Sequence, residues 1–411
     1  MSRTSPDPRS SELRQYALVT GNYWAFTLTD GALRMLVVLH FHQLGYGPLQ
    51  IALLFLFYEI FGVVTNLVGG WLGARVGLNR TMNIGLGLQI AALVMLAVPV
   101  AMLTVGWVMA AQALSGIAKD LNKMSAKSSV KLLVPDSAQG TLYRWVATLT
   151  GSKNALKGVG FFLGGVLLSA LTFRGAVLAM AASLALVWLG SLVFLKRDLG
   201  RAKVAPKFRE IFSKSRAINV LSAARLWLFG ARDVWFVVAL PVFLATALGW
   251  QHWQVGAFLA AWVIGYGVVQ ALAPRVTGRG AGALPDGRTA FGWALVLAVI
   301  PAAMASLLVQ GGAPQVVLIT GLAAFGVLFA INSSLHSYLI VSYASEDGVS
   351  LDVGFYYMAN ALGRLLGTVL SGWIYQSSGL AACLAVSAAL IALAALVSVA
   401  LPRHAAARAG R

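Results

Sequence analysis

Residues 105–133 read VGWVMAAQALSGIAKDLNKMSAKSSVKLL, an unbroken stretch whose first half is apolar and whose second half is rich in lysine. Lys119, Lys123, Lys127 and Lys131 are spaced four residues apart, so on a helix of about 3.6 residues per turn they form one slowly turning stripe. The whole stretch is long enough to cross a lipid bilayer as a helix. It therefore predicts a membrane helix with polar surroundings along one side.

The rest of the chain has the composition of an integral membrane protein. Of its 411 residues, 59% are hydrophobic and only 11% are charged, against about 25% charged residues in soluble proteins. Long continuous apolar runs without the alternation of a membrane barrel favour helices, so we predict an all-α fold. A helix needs roughly 20 residues to cross about 30 Å of hydrocarbon. The runs predict twelve membrane-spanning helices, numbered spans 1 to 12, with cores at 17–44, 48–73, 82–103, 105–134, 141–172, 175–195, 218–246, 252–274, 289–309, 315–343, 349–376 and 379–401.

The charge and cysteine content limit which disulfides, metal sites and partners can be expected, and they indicate the topology. Cys383 is the single cysteine, so neither an intrachain disulfide nor a cysteine-based metal site is expected, and no cofactor is predicted. The net charge of +18 comes largely from basic residues in alternate short loops, whereas the opposite loops hold only Arg174. This asymmetry follows the positive-inside rule and predicts that both termini are cytoplasmic. The net positive charge therefore needs no nucleic-acid partner to explain it. The first residues of the sequence are polar, which indicates no removable signal peptide.

Weak internal similarity relates the two halves of the chain. The sequence SSVK at 128–131 returns as SSLH at 333–336, and NAL at 154–156 returns at 360–362. A third match pairs GY at 45–46 with GW at 249–250. Three matches at nearly one offset favour a parallel repeat of two six-helix halves, in which spans 4 and 10 correspond, as do spans 5 and 11.

This repeat predicts a division at the polar segment near the middle. We predict an N-terminal six-helix half at 1–195, a basic cytoplasmic linker at 196–217 and a C-terminal six-helix half at 218–411. The arrangement resembles the architecture of the major facilitator superfamily. The loop GGWLGARVGLNR at 69–80 also resembles that superfamily's loop motif, although Ala74 stands in place of the usual acid. Three small-residue spacings, two of them at 160–164 and 363–367, predict close helix contacts.

The predicted spans contain an unusual surplus of positive charge. When the residues near the helix ends are set aside, eight bases and four acids lie within them, which leaves four positive charges in excess. An ionised side chain at the bilayer centre costs at least about 2.5 kcal/mol, so these groups should face the bundle interior or an aqueous cavity. The acids are Asp30, Glu59, Asp120 and Asp233. The bases and one neighbouring amide form the predicted substrate-binding set of Arg34, Lys119, Lys123, Lys153, Asn154, Lys157, Arg225, Arg232 and Arg364.

Several roles remain open for individual charged residues. Lys127 and Lys131 either extend to the inner membrane surface or contact substrate. Asp30 and Glu59 are either proton carriers or fixed counter-ions for neighbouring bases. His336 is either a titrating group or a structural one.

Adjacent residues on a helix point about 100° apart, so Arg232 and Asp233 are not expected to pair with each other. Arg232 either contacts the ligand or has a structural role, and the sequence favours neither.

The excess positive charge indicates an anionic substrate. Arginine and lysine favour phosphate-like oxyanions, and a phosphate ester carries about −1.5 to −2 charges near pH 7. Two such groups, or one plus a carboxylate, match the surplus. Each negative charge leaving a negative-inside cell gains about 2.3 kcal/mol per 100 mV, so the potential favours export.

Four longer strings resemble one family closely. They are TGNYWAFTLTDGALRMLVVLHFH at 20–42, SGIAKDLNKMSAKSSVKLLVPD at 115–136, TGSKNALKGVGFFLGG at 150–165 and FGARDVWFVVALPV at 229–242. They resemble the organoarsenical efflux permeases of the major facilitator superfamily. The resemblance implies export of 1-arseno-3-phosphoglycerate from the bacterial cytoplasm across the inner membrane. It also implies a functional partner, a glyceraldehyde-3-phosphate dehydrogenase that makes this ester from arsenate.

Two rival functions make different demands on the sequence. An organophosphate exchanger would take up glycerol phosphate or a sugar phosphate against inorganic phosphate. A membrane enzyme would need a nucleophile with its base or an acidic metal cluster, and the sequence contains neither pattern. We therefore predict a monomeric transporter rather than an enzyme.

Overall fold

The computed structural model describes residues 8–46, 54–195, 199–202, 208, 214–250, 252–277, 284–346 and 348–403. Within these ranges every regular element is helical. The first six helices are α1 Pro8–Gln43, α2 Leu56–Val76, α3 Leu78–Met95, α4 Val105–Leu133, α5 Gln139–Ala170 and α6 Phe173–Phe194. The others are α7 Arg216–Phe236, α8 Ala239–Thr246, α9 His252–Thr277, α10 Gly287–Val309, α11 Pro314–Tyr343 and α12 Val349–Ser398.

Each of the twelve predicted spans corresponds to helical structure, and the differences have local causes. Span 7 is divided into α7 and α8, because the chain leaves the helix at 237–238. Spans 11 and 12 are joined in α12, which is interrupted only at Gly379, where φ is +76° and glycine is the residue that adopts this conformation most readily. Span 3 ends early, at Met95, and a short 3₁₀ turn follows at Val100–Met102. The start of span 2 lies outside the described residues.

Composition alone marks only some of these helices as membrane-crossing. Seven helical segments in the described ranges are long and apolar enough to cross a membrane, and they are Leu56–Val76, Phe173–Phe194, Arg216–Thr246, Gln254–Thr277, Gly287–Val309, Pro314–Tyr343 and Val349–Ser398. The helices α1, α4 and α5 are not among them, because they carry much of the charge noted above. Their polar faces must therefore be covered by protein rather than lipid.

The chain divides into two compact units. Unit 1 comprises Met1–Trp145, Leu156–Phe212 and Ala344–Phe355, whereas unit 2 comprises Val146–Ala155, Ser213–Tyr343 and Tyr356–Arg411. Each unit has a hydrophobic core of its own. The predicted boundaries at 195 and 218 remain a prediction, since most of the linker at 196–217 lies outside the part of the chain that the structure describes.

Small residues bring α7 and α12 together in unit 2. A Cβ atom on Gly367 would lie 2.5 Å from the Gly230 carbonyl oxygen and 3.0 Å from the Cβ of Asp233, and one on Gly363 would meet the Leu226 carbonyl oxygen. Only glycine permits this approach, which confirms the predicted helix contact at 363–367. The contact sets the distance across which side chains of α7 and α12 can meet.

Close packing at glycine residues also joins α1 to α5 in unit 1. A Cβ atom on Gly31 would lie 2.8 Å from the Lys157 carbonyl oxygen, and one on Gly160 would lie 3.1 Å from the Gly31 Cα. The predicted contact at 160–164 is thus confirmed. Asp30 and Arg34 lie beside this crossing on α1.

Candidate functional site

Charged side chains of unit 1 form one group, which we call the N-terminal cluster. Its members come from three helices, since α1, α2 and α4 each contribute residues within one or two turns of one another. The cluster consists of Asp30, Arg34, Tyr58, Glu59, Lys119, Asp120 and Lys123.

Arg34 of this cluster pairs with a carboxylate of the neighbouring helix. Its Nη2 atom donates to Glu59 Oε1 at 3.1 Å. The guanidinium also lies over the rings of Phe55 and Tyr58, with its central carbon 5.0 and 4.8 Å from the ring centroids. Both contacts stabilise a cation away from water, so Glu59 has the geometry of a counter-ion for Arg34.

Tyr58 lies at the centre of the N-terminal cluster. Its hydroxyl group donates a hydrogen bond of 2.7 Å to Asp30 Oδ1, and both residues are buried. The Nζ atom of Lys119 lies 3.8 Å from the centroid of the Tyr58 ring. One ring therefore contacts two cations while its hydroxyl group holds Asp30.

Asp120 supplies the third carboxylate of the cluster. Its Oδ1 atom accepts from Lys123 Nζ at 2.5 Å, and its Oδ2 atom lies 3.7 Å from Lys119 Nζ. The cluster thus contains three bases and three acids. Its formal charge is balanced, so the positive surplus predicted from the sequence does not arise here.

The next two lysines of α4 are enclosed by protein. Lys127 is 3% exposed and Lys131 is 6% exposed. The interpretation that they extend to the surface is therefore wrong, because a side chain that reached the membrane surface would leave its end accessible. His336, at the position in α11 that matches Lys131, is likewise buried, at 1%.

The predicted residues of α5 have different surroundings. Lys157 is half-buried, with its Nζ atom 5.8 Å from the centroid of the Phe161 ring. Asn154 donates to Gln270 Oε1 at 2.7 Å, and Gln270 in turn donates to Ser333 Oγ at 2.9 Å. For Lys153 the structure establishes a half-buried position on the same helix.

A second group lies in unit 2 and is called the C-terminal cluster. It combines basic, acidic, amide and aromatic side chains from α7, α11 and α12. Its members are Arg225, Phe229, Arg232, Asp233, Ser333, Tyr356, Asn360 and Arg364.

Arg225 is the most deeply buried cation of this cluster. It is 3% exposed, and its Nε atom donates to Asn360 Oδ1 at 2.8 Å. Its Nη1 atom makes longer contacts with Ser333, 3.4 Å to Oγ and 3.5 Å to the carbonyl oxygen. The guanidinium lies 3.7 Å from the centroid of the Phe229 ring and 5.2 Å from that of Tyr356. Within the described ranges no carboxylate lies within salt-bridge distance of Arg225, so its charge is surrounded by neutral groups alone.

The other two arginines share one buried acid. Asp233 is 0% exposed, and its Oδ1 atom accepts from Arg232 at 2.6 Å while its Oδ2 atom accepts from Arg364 Nε at 3.1 Å. The expectation that Arg232 and Asp233 do not pair is wrong. The long arginine side chain bends back across the angle between neighbouring positions, because a buried carboxylate requires a partner.

The C-terminal cluster therefore carries two of the four surplus positive charges, and Lys153 and Lys157 of α5 account for the other two. Three guanidinium groups face one carboxylate, which leaves two positive charges in excess. Arg225 and Arg232 lie against the same ring, Phe229, at 3.7 and 5.0 Å from its centroid, so the surplus is concentrated in one place. Such a site suits a ligand with at least two negative charges.

The substrate-binding set predicted from the sequence does not include the neutral members of either cluster. Tyr356, Asn360 and Arg364 recur at four-residue spacing on α12, as do Arg225 and Phe229 on α7, so helical spacing from each buried arginine could have identified them. No comparable signal marks Tyr58, which comes from a different helix than the lysine it contacts.

Substitution of Tyr58 tests the organisation of the N-terminal cluster. We expect Tyr58→Phe to reduce transport about fivefold, the effect of one hydrogen bond, because Asp30 loses its donor while the ring still contacts Arg34 and Lys119. Tyr58→Leu should reduce it further, since each cation–π contact contributes about 0.5–2 kcal/mol.

The measurement is transport into everted vesicles, with and without an imposed pH gradient. A loss of gradient dependence in Tyr58→Phe would assign Asp30 as a proton carrier, and an unchanged dependence would assign it as a counter-ion. Equal transport in Tyr58→Phe, Tyr58→Leu and the unaltered protein would contradict the central position of Tyr58.

Comparisons with known proteins agree with this architecture. Residues 19–283, more than half of the chain, match the Major Facilitator Superfamily. The human organic anion transporter MFSD10 (TETRAN) has a similar structure, with a TM-score of 0.71, 17% sequence identity and coverage of 96% of this chain and 100% of that chain. The E. coli fucose:proton symporter FucP is similar at a TM-score of 0.71 and 13% identity, covering 94% of this chain and 98% of that chain.

A bacterial homologue of the iron transporter ferroportin, in an outward-facing state, is similar at a TM-score of 0.72 and 14% identity, with 93% and 98% of the two chains covered. No curated protein matches the sequence. At these identities the likeness establishes the fold, and the family match agrees with it over most of the helices. The chain is therefore a multi-pass membrane transporter that belongs to the major facilitator superfamily.

Proposed function

We propose that this chain exports a small organic molecule with several negative charges across the bacterial inner membrane, by alternating access. The observation that supports the proposal is the C-terminal cluster, in which three guanidinium groups face one carboxylate and Arg225 contacts only neutral groups among the described residues. A buried cation without an ionic partner is costly, and an anionic substrate would supply that partner.

The chemistry of the cluster favours phosphate-like oxyanions. Guanidinium groups bind two oxygens of a phosphate or arsenate group at once, and such bonds are roughly twice as strong as neutral ones. The direction follows from the membrane potential, which lowers the free energy of each exported negative charge by about 2.3 kcal/mol per 100 mV.

The specific cargo proposed is 1-arseno-3-phosphoglycerate, whose export would confer resistance to arsenate. The support for arsenic is the resemblance of the strings at 20–42, 115–136, 150–165 and 229–242 to organoarsenical efflux permeases. A glyceraldehyde-3-phosphate dehydrogenase is the proposed functional partner, since it would make the ester from arsenate. The human relative of similar fold is an organic anion transporter, so this fold accommodates organic anions.

Topology and roles of individual residues complete the proposal. Both termini are placed in the cytoplasm because basic residues crowd the loops on that side. Lys119, Lys123, Lys153, Lys157 and Arg34 are proposed to assist the anion, together with the arginines of the C-terminal cluster.

The test is arsenic retention in cells exposed to arsenate. Cells would carry this transporter, the dehydrogenase, both or neither, and retained arsenic would be measured over time. We expect arsenic to leave only when both proteins are present. If the dehydrogenase makes no difference, the arseno-ester is not the cargo.

Two further arms make this test sharper. Variants Lys119→Gln, Lys153→Gln and Lys157→Gln should abolish efflux while still inserting into the membrane, and full efflux in all three would remove these lysines from the site.

Uptake of radiolabelled glycerol 3-phosphate by vesicles loaded with inorganic phosphate would instead support the rival function of an organophosphate exchanger.

A further inference from the structure

Two polar atoms, one in the C-terminal cluster and one next to it, are buried without a hydrogen-bond partner in the part of the chain that the structure describes. They are Nδ1 of His336, a residue that is 1% exposed, and the hydroxyl oxygen of Tyr356, a residue that is 0% exposed. Leaving a buried polar group unsatisfied costs about 1–3 kcal/mol. Two such groups close to an arginine indicate that a ligand completes them.

The positions of both atoms follow from the contacts of Arg225. His336 lies one turn beyond Ser333 on α11, and Tyr356 lies one turn before Asn360 on α12. Ser333 and Asn360 are the residues that accept hydrogen bonds from Arg225. The Tyr356 ring lies 5.2 Å from the guanidinium, and His336 shares a face of α11 with Ser333.

Arg225 itself retains donor capacity. The hydrogen bonds that it makes to described residues use Nε and Nη1, whereas Nη2 has no acceptor among them. A guanidinium group carries five N–H donors, and the two at Nη2 can therefore serve a ligand.

We infer that Arg225, His336 and Tyr356 form a binding site for a tetrahedral oxyanion that carries a hydroxyl hydrogen. Arg225 and Tyr356 donate to the charged oxygens of the ion. Nδ1 of His336 accepts from its hydroxyl group when the other ring nitrogen carries the hydrogen. Hydrogen phosphate and hydrogen arsenate retain such a hydroxyl group at neutral pH, whereas sulfate does not.

The site should therefore prefer phosphate and arsenate to sulfate, although sulfate has a similar size and shape. Sulfate has no hydrogen to donate to Nδ1 of His336, and a buried acceptor that is left unpaired lowers the affinity of the site for that ion. The inference rests on the proposed function in one respect, because it assigns the oxyanion end of the exported ester to this site. The free inorganic ion presents the same tetrahedral oxyanion, whereas the ester end keeps the hydroxyl hydrogen only in its singly charged form, which is the form that this site would bind.

The test uses the purified full-length transporter in lipid nanodiscs and isothermal titration calorimetry. The probes are inorganic phosphate, arsenate, sulfate and glycerol 3-phosphate, all at one ionic strength. We expect phosphate and arsenate to bind at least about tenfold more tightly than sulfate, which corresponds to about 1.4 kcal/mol. Tighter binding of glycerol 3-phosphate than of inorganic phosphate would identify the ester as the natural source of the oxyanion, and the reverse order would identify the free ion.

Paired variants assign the preference to His336. His336→Asn retains an oxygen acceptor close to the position of Nδ1 and should keep the preference for phosphate. His336→Leu removes the acceptor and should bind phosphate and sulfate equally. Tyr356→Phe should weaken the binding of phosphate and of sulfate by a similar factor, since it removes a hydrogen-bond donor to either ion.

Equal affinity of the unaltered protein for phosphate and sulfate would overturn the inference, as would an unchanged preference in His336→Leu. Thermal unfolding of each variant establishes that it is folded before binding is compared. The outcome is independent of the arsenic retention test, so selective phosphate binding without dehydrogenase-dependent efflux would refute the cargo and leave the site intact.

Discussion

The Arg225→Gln variant is expected to lose transport by at least about a hundredfold while entering the membrane in normal amounts. In the folded protein Arg225 contacts amide, hydroxyl, carbonyl and aromatic groups, so its charge neutralises no carboxylate among the described residues. Its removal should therefore cost binding of an anion and little else. Glutamine can still donate to Asn360, and loss of an unpaired buried charge should leave thermal stability unchanged or higher.

The measurement compares anion efflux and thermal unfolding of the variant with those of the unaltered transporter. Arg174→Gln is the matched control, since it removes the same charge from an exposed position at the start of α6. Arg225→Lys should retain partial activity, because lysine keeps the charge but not the two-pronged geometry. Full transport in Arg225→Gln would show that this arginine has no part in anion binding.

The Asp233→Asn variant, in contrast to Arg225→Gln, should lose folding stability, by about 3–5 kcal/mol. Asp233 is the carboxylate that holds both Arg232 and Arg364, and it is completely buried between α7 and α12. Asparagine fits the same space but removes the negative charge that holds both guanidinium groups. The variant should accumulate poorly and unfold at lower temperature.

Thermal unfolding of detergent-extracted protein, followed by size-exclusion chromatography, measures this effect. Asp286→Asn is the matched control, because it makes the same chemical change at the N-cap of α10, where asparagine caps as well as aspartate. Adding Arg364→Gln to Asp233→Asn should restore part of the stability by removing one uncompensated cation. Normal stability of Asp233→Asn alone would contradict the shared ion pair.

Together the two variants distinguish binding charge from structural charge within one cluster. Arg225 and Asp233 lie two turns apart on α7, yet one is expected to control transport and the other folding. The N-terminal cluster provides a contrast, because its three bases and three acids are already matched. We therefore expect single substitutions there to disturb both properties.

Much of the fold could be predicted from the sequence. Apolar runs of about 20 residues indicate membrane helices because the bilayer offers the backbone no hydrogen-bond partners, and every predicted span corresponds to helical structure in the described residues. The predicted major facilitator fold is confirmed by the family match and by the similar structures. The glycine spacings at 160–164 and 363–367 also indicated the helix contacts correctly, because a close approach of two backbones leaves no room for a side chain.

The sequence by itself determined that several charges lie within the membrane and that bases outnumber acids among them. It did not determine which charges neutralise one another, because a base can pair with an acid on its own helix, as at Asp120, or on a helix far away in the chain, as Arg364 does with Asp233. Only the tertiary structure assigned Asp120 to two lysines and Asp233 to two arginines, and left Arg225 facing neutral groups. The physical reason is that a long, flexible side chain turns towards the nearest buried counter-charge, whatever its spacing in the sequence.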